Sequence, residues 1–305
     1  VAWDPIVLAR VRHLHLRARV LADEILMGHH RSRRVGQAVE FADYQEYVPG
    51  MDLRAMDWKV WGRSDRMVVR RYEAETELPC VVVLDLSGDL ATGGGAPDGL
   101  PDLERSKAGY AITLAATLLY WFHRQGEPVG LHVVAGEGLS YRDFPARGGR
   151  SHLQRLLLEL AQARPAGRAA LSEALVAVGS RLRRRGWVGV ITDGMEEPGV
   201  WTPALGTFAR RGTDLRFLHV FDREELRLDL ASAALFYSPE GGGDVPIDPH
   251  GTAEAFAQVV AEYLEEVRSA VVRVGGQYVQ VPTDAPLELV FHAVVRGTTA
   301  RLVLP

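Results

Sequence analysis

Two short acidic segments carry the chemistry that stands out in this chain. Asp85-Leu86-Ser87-Gly88-Asp89 follows the apolar run Val81-Val82-Val83-Leu84, and Thr192-Asp193-Gly194 follows Trp187-Val188-Gly189-Val190-Ile191. Each run is short and rich in β-branched residues, which predicts a strand buried on both faces. In an open parallel sheet, ligands sit beyond the carboxyl ends of the strands, where the strand order reverses. Placed side by side there, Asp85, Asp89 and Asp193 would supply three carboxylates and Ser87 a hydroxyl. Hard oxygen donors of this kind suit Mg²⁺ or another divalent cation. Without one, crowded carboxylates repel and at least one pKa must rise.

A metal-dependent hydrolase or phosphatase using Asp85, Asp89 and Asp193 is the alternative to a docking site. Such an enzyme also needs a base near its substrate, and the sequence offers none that can be identified. His29-His30 lacks the i, i+4 spacing of a helical metal pair. Ser140, Ser151 and Ser172 lack the G-x-S-x-G turn. Asp85-x-Ser87 lacks the second aspartate of D-x-D phosphotransferases. No catalytic residue is assigned, and the chain is read as non-enzymatic.

Gly93-Gly94-Gly95 has no following Lys-Ser/Thr pair and reads as a surface loop beside the crevice, not a phosphate cradle. Arg31-Ser32-Arg33-Arg34 and Arg181-Leu182-Arg183-Arg184-Arg185 are not interleaved with stacking aromatics. The second run ends a helix, where cations favour the macrodipole. A nucleic-acid partner is not expected.

The elements that must position the acidic segments alternate. Val7, Val11, Leu14, Ala18, Leu21 and Ile25 draw one stripe along a helix from Pro5 to Met27, which predicts packing on its own domain. Gly- and Pro-punctuated short segments occupy 28–79. Helices are expected over 104–122, 151–163 and 171–185, and strands over 129–134, 139–144 and 215–220. After Asp248-Pro249 a long amphipathic helix runs to the stop at Gly275-Gly276. Strands alternating with helices predict a doubly wound, mostly parallel α/β sheet. The expected division is a helical and β-rich segment over 1–79 and an α/β domain with a helical extension over 80–305.

Composition agrees with a globular protein. The 305 residues are 47% hydrophobic and 24% charged, with a formal charge of −4, which gives no overall pull toward nucleic acid or anionic lipid. The single cysteine, Cys80, excludes an internal disulfide and a cysteine-based zinc site. The most apolar stretch, Ala111 to Phe122, falls short of the roughly 20 residues a membrane span needs. With no signal-peptide pattern at Val1 to Pro5, a cytoplasmic location without membrane insertion is expected.

Asp85-x-Ser87-x-Asp89 resembles the D-x-S-x-S metal-ion-dependent adhesion site of von Willebrand factor A domains, with Asp193 as the distal aspartate. A wider signature resembles the bacterial "domain of unknown function 58" family. It comprises Arg31-Ser32-x-x-x-Gly36, Glu40-Phe41-x-Asp43-Tyr44, Tyr47-x-Pro49-Gly50-x-Asp52-x-Arg54-x-x-Asp57-Trp58, Arg63-x-Asp65, Gly276-x-Tyr278 and Thr283-Asp284-x-Pro286-Leu287. Within it, Arg54 and Asp57 stand at helical pairing distance, Trp58 and Trp61 suit a core, and Arg63 and Asp65 would tie the segment to the main domain. The same positions would otherwise serve a partner. The resemblance implies a von Willebrand A-like domain acting with a MoxR-type AAA+ ATPase or its client complex. Two expected hydroxyl ligands are replaced, one by Asp89 and one by Ala169. The neighbouring Arg168 is a candidate to neutralise the acidic cluster in place of a metal.

Overall fold

A computed structural model describes residues 5–30, 41–49, 56–72, 78–91, 102, 106–135, 141–168, 170–182, 185–223, 225–226, 234–236, 245–247 and 249–296. Arg54, Ala169, the Gly93–Gly95 run and the Arg31–Arg34 cluster lie outside the described residues.

In chain order the elements are α1 (Pro5–His30), β1 (Phe41–Glu46), α2 (Trp58–Ser64), β2 (Val68–Tyr72), β3 (Cys80–Asp85), α3 (Lys107–Arg124), β4 (Val129–Val134) and β5 (Tyr141–Arg147). They continue with α4 (Arg150–Gln162), α5 (Leu171–Arg181), β6 (Trp187–Thr192), α6 (Pro198–Arg210) and β7 (Asp214–Phe221). The last are β8 (Ala234–Phe236), β9 (Val245–Ile247), α7 (Pro249–Arg273), β10 (Gln277–Pro282) and α8 (Leu287–Arg296).

The chain forms two compact units, one of 1–26 with 78–305 and one of 27–77. The division falls between 77 and 78, and α1 up to Leu26 groups with the large unit and not with the small one. Its apolar stripe explains this: Leu14, Ala18, Leu21 and Ala22 are buried in the large unit's core. Arg10 also donates from Nε to the carbonyl of Ala161, 2.9 Å away.

The large unit is a six-stranded sheet in the order β10-β7-β6-β3-β4-β5. Every neighbouring pair is parallel except β4 with β5. The strand side chains alternate between two cores, as a period of two requires. Val82, Leu84, Leu218, Val220, Val279 and Val281 join the core that contains α1, α3, α4 and α8 residues. Val81, Val83, Leu215, Phe217 and Tyr278 join the core that contains α5, α6 and α7 residues. The sheet is thus wound on both faces, as the sequence predicts.

Two features go beyond the sequence reading. The region after the long helix is not purely helical, because β10 adds a sixth strand in register with β7 from Gln277 opposite Arg216 to Pro282 opposite Phe221. The second is a register shift between β4 and β5 at Gly130, where a Cβ would stand 2.8 Å from the Ala146 backbone nitrogen. Only glycine fits so close an approach.

In the small unit, β1 and β2 form an antiparallel hairpin. Asp57 caps α2, its side chain accepting from the backbone N–H groups of Lys59 (3.0 Å) and Val60 (3.3 Å). Trp58 and Trp61 are 56% and 36% exposed and meet edge to face. The core role expected of them is not what the structure shows: they stand on a seven-residue helix none of whose residues is buried. Arg63 is exposed on the same helix, and Asp65 ends it in the left-handed conformation, φ 56°.

Candidate functional site at the carboxyl edge of the sheet

β3 and β6 are neighbours in the sheet, and the chain leaves them in opposite lateral directions, β3 toward β4 and β6 toward β7. That is the switch point of a doubly wound sheet. Asp85 is the last residue of β3, and Asp193 immediately follows β6. Both are buried, 5% and 4% exposed.

Two hydrogen bonds hold Asp85. Its Oδ1 accepts from the Ser87 backbone N–H at 2.9 Å, and its Oδ2 accepts from the Thr192 hydroxyl at 2.7 Å. The Ser87 hydroxyl lies near enough to favour the ionised carboxyl, yet forms no hydrogen bond of good geometry. Burial and then the neighbouring Asp193 carboxylate outweigh these donors, and the Asp85 pKa is pushed up to about 7.

Asp193 has a different environment. Its Oδ2 lies 3.6 Å from the ammonium of Lys107, whose side chain is only 5% exposed and also meets Glu225 Oε1 at 3.0 Å and Oε2 at 3.1 Å. Burial raises the Asp193 pKa, and Lys107 is the strongest influence opposing it. The carbonyl of Asp193 accepts from His219 Nε2 at 2.7 Å, while His219 Nδ1 accepts from the Tyr278 hydroxyl at 2.8 Å. Burial lowers the His219 pKa to about 4, so the ring stays neutral and its tautomer is fixed by these two partners. Gly194 follows with φ +70°, and its carbonyl accepts from Tyr263 on α7.

Asp85, Ser87, Asp193, Arg168, Ala170, Met195, Glu196, Glu197 and Val200 line one cavity of about 520 Å³. The two aspartates and Ser87 thus share one crevice. Asp89, on a short 3-10 turn over Gly88–Ala91, is half-buried, is not part of that lining, and acts on Asp193 through space. Arg168 is at the exposed rim; the cation against Asp193 is Lys107, which the sequence reading passed over. The signal available was its rarity, since Lys59 and Lys107 are the two lysines of the chain. His219, inside β7, was missed as a site-positioning residue, and Thr192 at the end of β6 was given no role of its own. Asp57, Trp58 and Arg63 belong to the other compact unit.

A model of the family described as "protein of unknown function DUF58" matches residues 43–266. The chain belongs to the DUF58 family. An uncharacterized protein of Mycobacterium bovis is 29% identical over 287 residues, covering 92% of this chain and 86% of its own length. Among solved structures, BatB from Bacteroides thetaiotaomicron is similar at 17% identity and a TM-score of 0.47, covering 73% of this chain and all of the other (100%). The SpRpn10 VWA domain is similar at 8% identity and a TM-score of 0.40, over 75% of this chain and 100% of its own. The doubly wound fold itself rests on the strand order described above.

The donor set does not fit the divalent cation that the resemblance implies. Mg²⁺ takes octahedral oxygen coordination shared between water and one or two protein carboxylates with free lone pairs. Among the described residues no three His, Cys, Asp or Glu side chains are placed to hold a metal ion. Both Asp85 oxygens already accept hydrogen bonds, and a buried ammonium stands beside Asp193. No helix among the described residues is long and apolar enough to cross a membrane.

Proposed function

We propose that this DUF58 chain is a non-enzymatic protein-interaction module that docks a partner at the carboxyl edge of its sheet. The observation that carries this reading is the cavity joining the ends of β3 and β6. It has a buried polar floor of Asp85, Ser87 and Asp193, and a rim where Met195 is 64% and Val200 is 50% exposed. Exposed apolar side chains around a few fixed polar groups are the makings of a protein interface. The family resemblance supports a MoxR-type AAA+ ATPase, or its client complex, as the partner.

Capture of the MoxR-type ATPase of the same cell by the full chain tests this. Wild type is expected to retain it, and Val200→Asp and Met195→Asp to lose it while keeping the circular dichroism of wild type. Capture unaffected by both substitutions would remove the docking face from this edge. Turnover of a generic phosphoester with Mg²⁺, abolished by Asp85→Ala, would favour a hydrolase instead.

A further inference from the structure

The chemistry of the partner's contacting group follows from how charge is balanced in the cavity; this inference rests on the docking reading above. Asp193 has a cation supplied by the fold. Lys107 occupies the first position of α3, after the Ser106 cap, and its ammonium is gripped by both carboxylate oxygens of Glu225 while lying 3.6 Å from Asp193. A unit charge fixed in a poorly hydrated place interacts strongly with a carboxylate at that distance.

Asp85 has no such partner. Among the described residues it makes no ion pair, and its hydrogen bonds come from the Ser87 N–H and the Thr192 hydroxyl. The Ser87 hydroxyl, 4% exposed, faces the same cavity without a well-formed hydrogen bond. Glu197 adds an exposed carboxylate at the rim. The carboxyl without an ion-pair partner and the hydroxyl without a well-formed hydrogen bond thus lie together on the Asp85 side.

In a metal-ion-dependent adhesion site the ion bridges protein and partner. Here a doubly charged ion would meet an Asp85 whose two oxygens already accept hydrogen bonds and the repulsion of a fixed ammonium. A guanidinium or ammonium group carries half that charge, so it is repelled less, and it brings its own donors: it donates to Asp85 and to the Ser87 oxygen directly, and charge-assisted hydrogen bonds of this kind are strong when desolvated. We infer that the cavity takes a basic side chain of the protein partner directly, without a divalent cation, with Lys107 balancing Asp193 and the incoming group balancing Asp85.

Methylguanidinium serves as the probe for a basic side chain and acetate for an acidic one, each titrated into the full chain by NMR with EDTA or with Mg²⁺. Methylguanidinium is expected to bind equally well with EDTA and with Mg²⁺. Asp85→Asn should weaken binding by about tenfold, while Asp85→Glu retains part of it. Acetate that binds only when Mg²⁺ is present would overturn the inference. So would Mg²⁺ raising the Tm of wild type but not of Asp193→Ala, or the absence of methylguanidinium binding. None of these results decides whether a protein docks at this edge, which the Val200→Asp capture measures separately.

Discussion

The Thr192 hydroxyl donates to Oδ2 of Asp85 at 2.7 Å and accepts from the Gly194 N–H at 3.0 Å, so one side chain ties the end of β3 to the turn after β6. Thr192 is fully buried. Thr192→Val keeps the shape and removes both bonds, leaving a buried acceptor and a buried donor short of a partner. A loss of about 1–3 kcal/mol is expected by denaturant unfolding.

Asp85 gives the stability of the protein a distinctive pH dependence. Its folded pKa is raised from 3.8 to about 7, so the folded state holds the proton more tightly than the unfolded chain. That contribution is fully present below the ordinary value and is lost as pH rises through the folded one. Asp85→Asn should therefore gain stability relative to wild type between pH 4 and 7, measured as the difference of two Tm–pH curves. His219, with its pKa lowered to about 4, runs the other way, losing stability as pH falls below 6.5. It is present in both proteins and cancels in the difference. A flat difference curve would show that Asp85 is ionised throughout.

Lys107→Met leaves Asp193 buried without its ammonium. Removing one partner of a buried pair costs about 3 kcal/mol or more, and chemical denaturation measures it. Mg²⁺ should restore part of the lost Tm in this variant and none in wild type.

Gly194→Ala tests the turn after β6. The residue has φ +70°, and an added Cβ would stand 3.0 Å from His219 Nε2. Backbone strain and the displaced ring together predict a loss of about 1–3 kcal/mol. The His219 imidazole resonances should shift, because the bond to the Asp193 carbonyl is the one disturbed.

Trp58→Ala and Trp61→Ala should each change stability by no more than about 0.5 kcal/mol, since both indoles are exposed. A loss several times larger in the unfolding free energy would restore the core role.

The fold and the convergence of Asp85 with Asp193 were legible because each aspartate ends a run too apolar and too short for anything but a buried strand. The identity of the balancing cation was not. A lysine following Ser106 at a helix start reads as an ordinary solvated residue, and only folding brings Glu225 to it from 118 positions away. β10 was hidden for a related reason: Tyr278-Val279-Gln280-Val281 is a brief alternation after a long helix, and what makes it a core strand is the open flank of β7. The tryptophans of α2 misled because burial depends on what lies underneath, which no local pattern reveals.

The order in which the sheet is assembled has a consequence for how the chain is made. β7 ends at Phe221, yet its outer neighbour begins only at Gln277. During synthesis the ribosome must therefore release more than fifty further residues while one flank of a nascent sheet carries unanswered amide and carbonyl groups. A translation arrest before residue 277 would expose that flank to other chains, and inclusion-body formation by such truncated products is the cost built into finishing the sheet last.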